Sequence, residues 1–238
     1  MEDKLFHYTT MEALTKIMQK ENVCFLATHY KYLNDPSEYQ WGLEQIKSKC
    51  ADFNTDETDL FILSLSKQCD FLPMWSMYAQ NGNGVTLEVN NLASLCFEYS
   101  FMMADCEYDI EKIDLHSSLR LHERYKNSND KFKQKLGRSW EKMLPAVIKH
   151  PAYKYEDEVR LIFNKLDNEE VFFRERKGIL IPCVKRTFDK SFIKSITLGP
   201  MLMEQKEKAK ESLQMFLYQN KYENLIDKIY FSSVPYKI

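Results

Sequence analysis

Apolar residues along this chain occur either in short runs or at helical spacing, and these two patterns predict where strands and helices lie. Leu5 to Tyr8 and Val23 to about Thr28 are short, mostly apolar runs of the kind that form strands. Between them the apolar positions recur at helical spacing, at Ala13, Leu14, Ile17 and Met18. This spacing predicts an amphipathic helix that runs to about Lys20.

Two predicted helices begin at residues that can satisfy free backbone N–H groups. Thr9 and Glu12 form a capping box for the first helix. Asp35 is a natural N-cap with Pro36 in the first helical position, so a second helix is predicted from there to about Cys50. The loop that contains Asn34 therefore ends at a helix N-terminus, where backbone N–H groups can bind an anion.

The rest of the chain contains more strands than a regular alternation of strand and helix would place there. The predicted strands are Phe61–Ser66, Val85–Val89, Ala104–Tyr108, Glu158–Phe163, Val171–Phe173, Ile179–Val184, Ile193–Leu198 and Ile226–Ser232. Further helical segments are predicted at Pro73–Tyr78 and Glu204–Asn220. This order favours a single α+β domain over residues 1–238, with a largely antiparallel or split sheet and flanking helices. Residues 109–150, which are polar and helical in pattern, are predicted to be a helical insertion.

Composition limits the kinds of function that this chain can have. With 44% hydrophobic and 29% charged residues, it has enough apolar material for one sizeable core. It lacks an apolar run of about 18 residues and the features of a signal peptide, so we expect a cytoplasmic protein without membrane contact. The formal charge of −2 predicts no general attraction to nucleic acid. The basic residues Arg174, Arg176, Lys177, Lys185 and Arg186 are typical of a solvated sheet edge.

The cysteines give no sign of a metal site. The six cysteines form no C-x-x-C pair and have no histidine at a zinc-ligand spacing, so reduced thiols and no metal are predicted. Cys24, Cys96 and Cys183 have apolar neighbours and are expected to be buried. Phosphate-binding, nucleophile-elbow and metalloprotease motifs are also missing from the sequence.

The polar residues that a core does not require are the candidates for a site. His7 lies on the first strand, and Glu156 and Glu158 are two apart at a predicted strand start, which places both carboxylates on one face. Arg160 continues that face, so the three residues could instead form a surface ladder without further function. Trp75 and Tyr78 share a helical face and are more typical of a core than of a pocket.

Several of these segments occur in an order that resembles a large bacterial family of domains of unknown function. The residues that carry the resemblance are His7-Tyr8-Thr9, Asn34-Asp35-Pro36-Ser37-Glu38, Met74-Trp75 with Tyr78, Gly84, Glu156-Asp157-Glu158-Val159-Arg160 and Leu198-Gly199-Pro200. The family pattern is H-Y-T, N-D-P-x-E, M-W-x-x-Y and E-x-E-x-R. The resemblance spans nearly the whole chain and is weakest over residues 109–150. We expect the first, second and fifth of these segments to line one polar site.

The opening strand and helix of that family are distantly similar to DNA-modifying ADP-ribosyltransferase toxins. The resemblance implies an NAD-binding fold in which His7 holds the ribose and Glu158 or Glu156 acts on the reacting sugar. Such a carboxylate stabilises the oxocarbenium-like transition state more than the ground state. Arg160 would clamp a phosphate or orient Glu158. The other residues expected to contact NAD are Tyr8, Thr9, Tyr30, Tyr32, Asn34, Trp75 and Tyr78.

The resemblance implies an enzyme that transfers ADP-ribose to a protein or nucleic acid, in phage defence or a toxin system. Two other interpretations stay open from the sequence. One is a nucleotide-binding module that senses a ligand without catalysis. The other is an interaction protein whose motif residues maintain the fold. The Ser64-Leu65-Ser66 segment resembles a different transferase branch, which has arginine where this chain has His7.

Overall fold

The computed structural model of this chain describes residues 4–34, 37–53, 59–89, 101–114, 124, 127–130 and 142–236. Within these ranges the strands are β1 (Leu5–Thr9), β2 (Val23–His29), β3 (Leu60–Ser66), β4 (Val85–Val89), β5 (Met102–Asp105), β6 (Glu158–Asn164), β7 (Phe172–Arg176), β8 (Ile179–Phe188), β9 (Ile193–Leu198) and β10 (Ile229–Phe231). The α-helices are α1 (Met11–Ile17), α2 (Glu38–Lys49), α3 (Leu72–Tyr78) and α4 (Lys206–Gln219).

The predicted α+β class with a largely antiparallel sheet is confirmed. β1 pairs antiparallel with β3 and with β4, and β4 pairs antiparallel with β9. The pairs β2–β3, β5–β6 and β7–β8 are also antiparallel, whereas β9 and β10 run parallel. Every strand predicted from the apolar pattern is present, with bounds that differ by two or more residues at β5, β7, β8 and β10.

The residues group into two compact units. The first contains residues 1–26, 64–98 and 185–238, and the second contains residues 27–63 and 99–184. The prediction of a single domain stays a prediction. The predicted helical insertion at 109–150 falls partly outside the described residues, since residues 115–123, 125–126 and 131–141 are not among them.

The first unit contains the strand order β10-β9-β4-β1, and β1 pairs on its other side with Ser66 at the end of β3, which belongs to the same unit. One face of β1 packs against α3, because Phe6 and Tyr8 point to that face and contact Met74 and Trp75. The Tyr8 and Trp75 rings meet edge to face, with centroids 5.1 Å apart. Trp75 is fully buried, so α3 is held to the sheet by a large aromatic side chain.

A corner of the first unit requires glycine because three backbone segments approach closely there. A Cβ atom on Gly84 would overlap the carbonyl oxygen of Thr9, and one on Gly199 would overlap that of Gly82. The Gly199 N–H donates to the Gly84 carbonyl oxygen at 3.0 Å. The glycines of two motifs are therefore accounted for by backbone packing.

The start and end of α1 differ from the prediction. Thr10 is the N-cap, and its hydroxyl accepts a hydrogen bond from the Ala13 N–H at 3.0 Å. The prediction of Thr9 as the cap was wrong, because Thr9 is the last residue of β1 and pairs with Val85 of β4. The helix ends at Ile17 rather than near Lys20, and Leu14, Ile17 and Met18 are buried as expected.

The second unit contains β5, β6 and β7 together with the parts of β2, β3 and β8 that lie within its residues, in the order β3-β2-β8-β7, with β6 paired to β3 and β5 paired to β6. Helix α2 begins at Glu38 after the N-cap Ser37, two residues later than predicted. The predicted caps Asp35 and Pro36 lie outside the described residues. A Cβ atom on Gly42 of α2 would overlap the carbonyl oxygen of Pro145, so the helix backbone lies directly on the 3-10 turn Leu144–Val147.

Candidate functional site

A cluster of buried charges lies in the second unit and includes the E-x-E-x-R segment. Its members are at most 7% exposed: Glu38, Lys149, Glu156, Glu158 and Arg160. Ionised side chains are rarely buried so completely unless they are paired. When all five are ionised, three carboxylates surround two cations.

Arg160 is the centre of this cluster. Its Nε donates to Glu158 Oε1 at 2.9 Å and its Nη2 donates to Glu158 Oε2 at 3.0 Å, which is a bidentate pair. Nη2 also donates to Glu38 Oε2 at 2.6 Å, and Nη1 donates to the carbonyl oxygen of Ala146 at 2.5 Å. The guanidinium therefore joins β6 to α2 and to the 3-10 turn.

Lys149 bridges all three carboxylates. Its Nζ donates to Glu156 Oε2 at 2.5 Å and to Glu158 Oε2 at 2.7 Å, and lies 3.2 Å from Glu38 Oε1. The second cation thus contacts the same acids as Arg160 and one more. Neither Lys149 nor its role was predicted from the sequence.

Glu156 and Glu158 reach Lys149 from two different elements. Glu156 ends the 3-10 helix Pro151–Glu156, and Asp157 then adopts a left-handed conformation with φ 44°. β6 begins only at Glu158, so strand alternation does not place the two carboxylates on one face, and that part of the prediction was wrong. The Glu158 N–H donates to the Tyr108 hydroxyl at 2.9 Å, which fixes the start of the strand.

The cluster keeps Glu158 ionised. Burial alone would raise the pKa of its carboxyl, but the Arg160 and Lys149 charges and their hydrogen bonds outweigh burial and hold the pKa well below its usual range. Burial likewise opposes the charged form of Lys149, and the Glu158 and Glu38 carboxylates raise its pKa instead. The alternative of a surface ladder is excluded, because Glu156, Glu158 and Arg160 are buried.

The depressed pKa of Glu158 predicts a loss of stability in acid. The unfolded carboxyl titrates near its ordinary pKa of about 4.3, so the contribution of Glu158 is complete above that pH and is lost as the pH falls below it. The free energy of unfolding should decrease by up to about 1.4 kcal/mol per pH unit from this group. Urea unfolding curves recorded about every half pH unit from about pH 3 to pH 7 give the free energy of unfolding of wild type and of Glu158→Gln, and hence this slope.

The control for this prediction is Glu44→Gln, which removes an exposed carboxylate of α2. We expect Glu44→Gln to keep the acid slope of wild type and Glu158→Gln to flatten it. An unchanged slope in Glu158→Gln would show that the Glu158 carboxylate is not stabilised by the fold.

The predicted site residues of the H-Y-T segment lie in the first unit. His7 is half-buried on β1, its Nδ1 lies 3.1 Å from the carbonyl oxygen of Ser64, and its ring meets the edge of Phe25. A carbonyl only accepts, so Nδ1 carries the proton in this contact. The Tyr8 hydroxyl donates to the Gln68 carbonyl oxygen at 2.9 Å, and Thr9 is buried beside Gly84.

Trp75 is a core residue of the first unit, as its spacing favoured. Its Nε1 donates to Asp70 Oδ1 at 2.7 Å. Asp70 also accepts from the hydroxyls of Ser232 and Ser233, so this carboxylate ties α3 to the chain after β10. Tyr78 is half-buried and packs against the same core.

The remaining candidates, Tyr30, Tyr32 and Asn34, lie in the second unit. Tyr30 is buried against Tyr39, with ring centroids 4.4 Å apart, so it is a core residue of the second unit. Tyr32 is 36% exposed. Asn34 is exposed, and its Oδ1 accepts from Arg176 Nη1 at 2.5 Å.

The structure therefore brings together Glu38, Glu156, Glu158 and Arg160, and separately Tyr8 with Trp75. His7 belongs to the first unit and Glu158 to the second, and the prediction that they line one site stays a prediction. Glu38 carried a sequence signal, since it is the last residue of the N-D-P-x-E motif. Lys149 carried none, because no motif includes it.

Three further findings concern the cysteines, metal-binding groups and helices of the described part of the chain. Cys24, Cys106 and Cys183 are buried free thiols, and Cys96 lies outside the described residues. Among the described residues, no group of three or more His, Cys, Asp or Glu side chains could hold a metal ion. None of the helices in the described ranges is both long and apolar enough to cross a membrane.

Comparison with known proteins gives one match. The model of a family described as "Protein of unknown function (DUF2971)" matches residues 74–161. This range includes the M-W-x-x-Y and E-x-E-x-R segments, and His7 and Asn34 lie outside it. Neither a curated protein nor a solved structure matches the chain.

Proposed function

We propose that this chain is an ADP-ribosyltransferase-like protein that uses NAD to modify a protein or nucleic acid, in phage defence or a toxin system. The observation that best supports the proposal is the state of the Glu158 side chain. It is a deprotonated carboxylate with a fixed direction, because Arg160 binds it through two hydrogen bonds. Its Oε1 has a single hydrogen-bond donor among the described residues, so this oxygen can accept one more.

A carboxylate of this kind suits cleavage of the bond between nicotinamide and ribose. The transition state resembles an oxocarbenium ion, and an adjacent negative charge stabilises it more than the ground state. Carboxylates act in the same way on sugar centres in glycoside hydrolysis. In this proposal Glu158 Oε1 accepts a hydrogen bond from a ribose hydroxyl, Arg160 orients the carboxylate, and Glu156 is the second acid.

His7 has a separate part in the proposal. Its Nδ1 is directed at the Ser64 carbonyl oxygen, which holds the ring in place, and in this proposal the ring contacts a ribose hydroxyl. Glu158 is only 5% exposed, so binding of the sugar requires a local opening of the charge cluster. Four of the five N–H groups of Arg160 donate to Glu158, Glu38 and Ala146, so in this proposal Arg160 orients Glu158 rather than clamping a phosphate.

A second candidate is a protein that binds a nucleotide or partner without catalysis. The observation that favours it is the pairing within the cluster, since each of the two cations already contacts at least two carboxylates. Buried ion networks of this type also occur where only the fold requires them. In this case Glu158 and Arg160 would position α2 and β6 and take no part in chemistry.

The experiment that decides between them is an assay of nicotinamide release from NAD, followed by mass detection of ADP-ribose on proteins and nucleic acids. We expect release by wild type, a loss on the order of 100-fold in Glu158→Gln, and no change in the exposed-site control Glu44→Gln. Nicotinamide release by the Glu156→Gln variant shows whether Glu156 as well as Glu158 takes part in the reaction. NAD binding without release would favour the second candidate.

A variant in the first unit tests the proposal without changing the charge cluster, whose replacement could itself unfold the protein. His7→Gln changes no residue of the charge cluster, and its melting temperature reports whether the fold is intact. Weaker NAD binding by a folded His7→Gln variant would support the assigned ribose contact. If wild type neither binds NAD nor releases nicotinamide, the proposed roles of His7 and Glu158 are both overturned.

A further inference from the structure

Two arginines of β7 carry positive charge that none of the described carboxylates neutralises. Arg174 Nη2 donates to the Thr28 hydroxyl at 3.0 Å. Arg176 Nη1 donates to Asn34 Oδ1 at 2.5 Å, and its Nη2 donates to the carbonyl oxygens of Tyr32 and Leu33 at 2.8 and 2.9 Å. All these acceptors are neutral, whereas Arg160 contacts two carboxylates.

The two guanidinium groups lie on one face of a well-defined hairpin. Arg174 and Arg176 are two apart on β7, so strand alternation directs them to the same side. Lys177 and Gly178 have φ values of 51° and 79°, as in a tight two-residue turn to β8. Glu175, the acid between the arginines, points to the other face, and its Oε1 accepts from the Gly178 N–H.

These groups are accessible to a ligand. Arg174 and Asn34 are exposed, and Arg176 is half-buried. The contacts of Arg176 with residues 32–34 hold its guanidinium in place before any ligand arrives. Partial burial and the nearby Arg174 charge lower the pKa of Arg176.

We propose that Arg174, Arg176 and Asn34 form a binding site for a phosphate or pyrophosphate group. Guanidinium groups bind phosphate oxygens through paired, charge-assisted hydrogen bonds. The Asn34 amide nitrogen can join them, because only its Oδ1 is used by Arg176 and its two N–H groups are donors. A bound anion would also remove the repulsion between the arginines.

This inference goes beyond the proposed function, because it requires neither NAD cleavage nor Glu158. The sequence favoured a solvated sheet edge for this basic segment, and β7 is the last strand of the described order in the second unit. Arg176 differs from a side chain of a solvated edge, because its hydrogen bonds to residues 32–34 hold the guanidinium in one position where it can bind an anion.

The test is calorimetric titration of the full chain with sodium pyrophosphate and, separately, with ADP at low ionic strength. We expect binding by wild type and at least about tenfold weaker binding by Arg174→Gln and Arg176→Gln, since each removes a charge-assisted contact. Lys47→Gln is the matched control, because it removes one exposed positive charge from α2 in the same unit. It should bind as wild type does.

The outcomes separate a specific anion site from a general attraction of phosphate to positive charge. Arg174 donates to Thr28 rather than to residues 32–34, so Arg174→Gln leaves the loop contacts of Arg176 in place and tests the charge itself.

Tighter binding of ADP than of pyrophosphate would identify a nucleotide ligand, and equal binding would identify the phosphate group alone. Absence of binding by wild type, or equal weakening by Lys47→Gln, would overturn the proposal. Phosphate binding without nicotinamide release would retain this site and reject the transferase.

Discussion

Replacement of Arg160 by methionine should destabilise the second unit by about 3–5 kcal/mol, the usual effect of breaking a buried ion pair. Methionine retains much of the side-chain volume, so the loss reports charge and hydrogen bonding more than an empty cavity. Glu38 and Glu158 would keep only Lys149 as a charged partner, and the Ala146 carbonyl oxygen would lose its donor. Urea unfolding followed by far-UV circular dichroism and by fluorescence measures the change, and agreement of the two signals checks for a single transition.

Two further variants make this prediction specific. Arg174→Met applies the same substitution to an exposed arginine and should change stability by about 1 kcal/mol or less. Glu38→Gln combined with Arg160→Met should be less destabilised than the sum of the single changes, because one unpaired carboxylate is removed. A loss below about 1 kcal/mol in Arg160→Met would mean that water or rearrangement replaces the cluster.

The strands of this chain were predictable because burial leaves a local pattern. The apolar runs at β3, β8 and β9 are visible without any knowledge of their partners, and the pairing confirmed an antiparallel arrangement. Helix bounds were less certain, because adjacent residues can both cap a helix. Thr9 and Thr10 are equally good caps by type, and only the pairing of Thr9 with Val85 decides between them.

The charge cluster was predictable only in part. Glu158 and Arg160 are neighbours on one strand, so their pairing follows from spacing. Arg160 and Glu38 are separated by 122 residues, and their contact depends on how α2 packs. Lys149 lies in an irregular segment before a 3-10 helix, where neither the periodicity of apolar positions nor a sequence motif indicates a buried cation.

The motif residues have structural roles that do not involve a ligand. In the first unit, Gly84 and Gly199 allow backbone segments to meet, and Tyr8 and Trp75 fill the core. In the second unit, the acidic motif residues are paired with Arg160 and Lys149. Residues with such roles need not act on a substrate, so the transferase proposal rests on Glu158 and His7 and not on the number of motifs that match.

Substitution of Gly42 by alanine should destabilise the protein by about 1–3 kcal/mol, although alanine normally favours an exposed helix interior by about 1 kcal/mol over glycine. The sign reverses because the added Cβ atom would overlap the Pro145 carbonyl oxygen and lie 3.1 Å from that of Ile148. Both obstacles are backbone atoms, so α2 itself has to move away. Gly42 is one turn after Glu38, and the same movement would draw Glu38 away from Arg160 and Lys149.

Urea unfolding of Gly42→Ala and of Ser48→Ala measures this effect. Ser48 is an exposed residue of the same helix, whose hydroxyl donates to the Gln45 carbonyl oxygen, so its replacement by alanine should change stability by about 0.5 kcal/mol or less. Because the loss in Gly42→Ala acts partly through Glu38, it should shrink when Glu38→Gln is already present. A Gly42→Ala variant as stable as wild type would show that α2 can shift without disturbing the charge cluster, and that the close approach at Pro145 does not fix the position of Glu38.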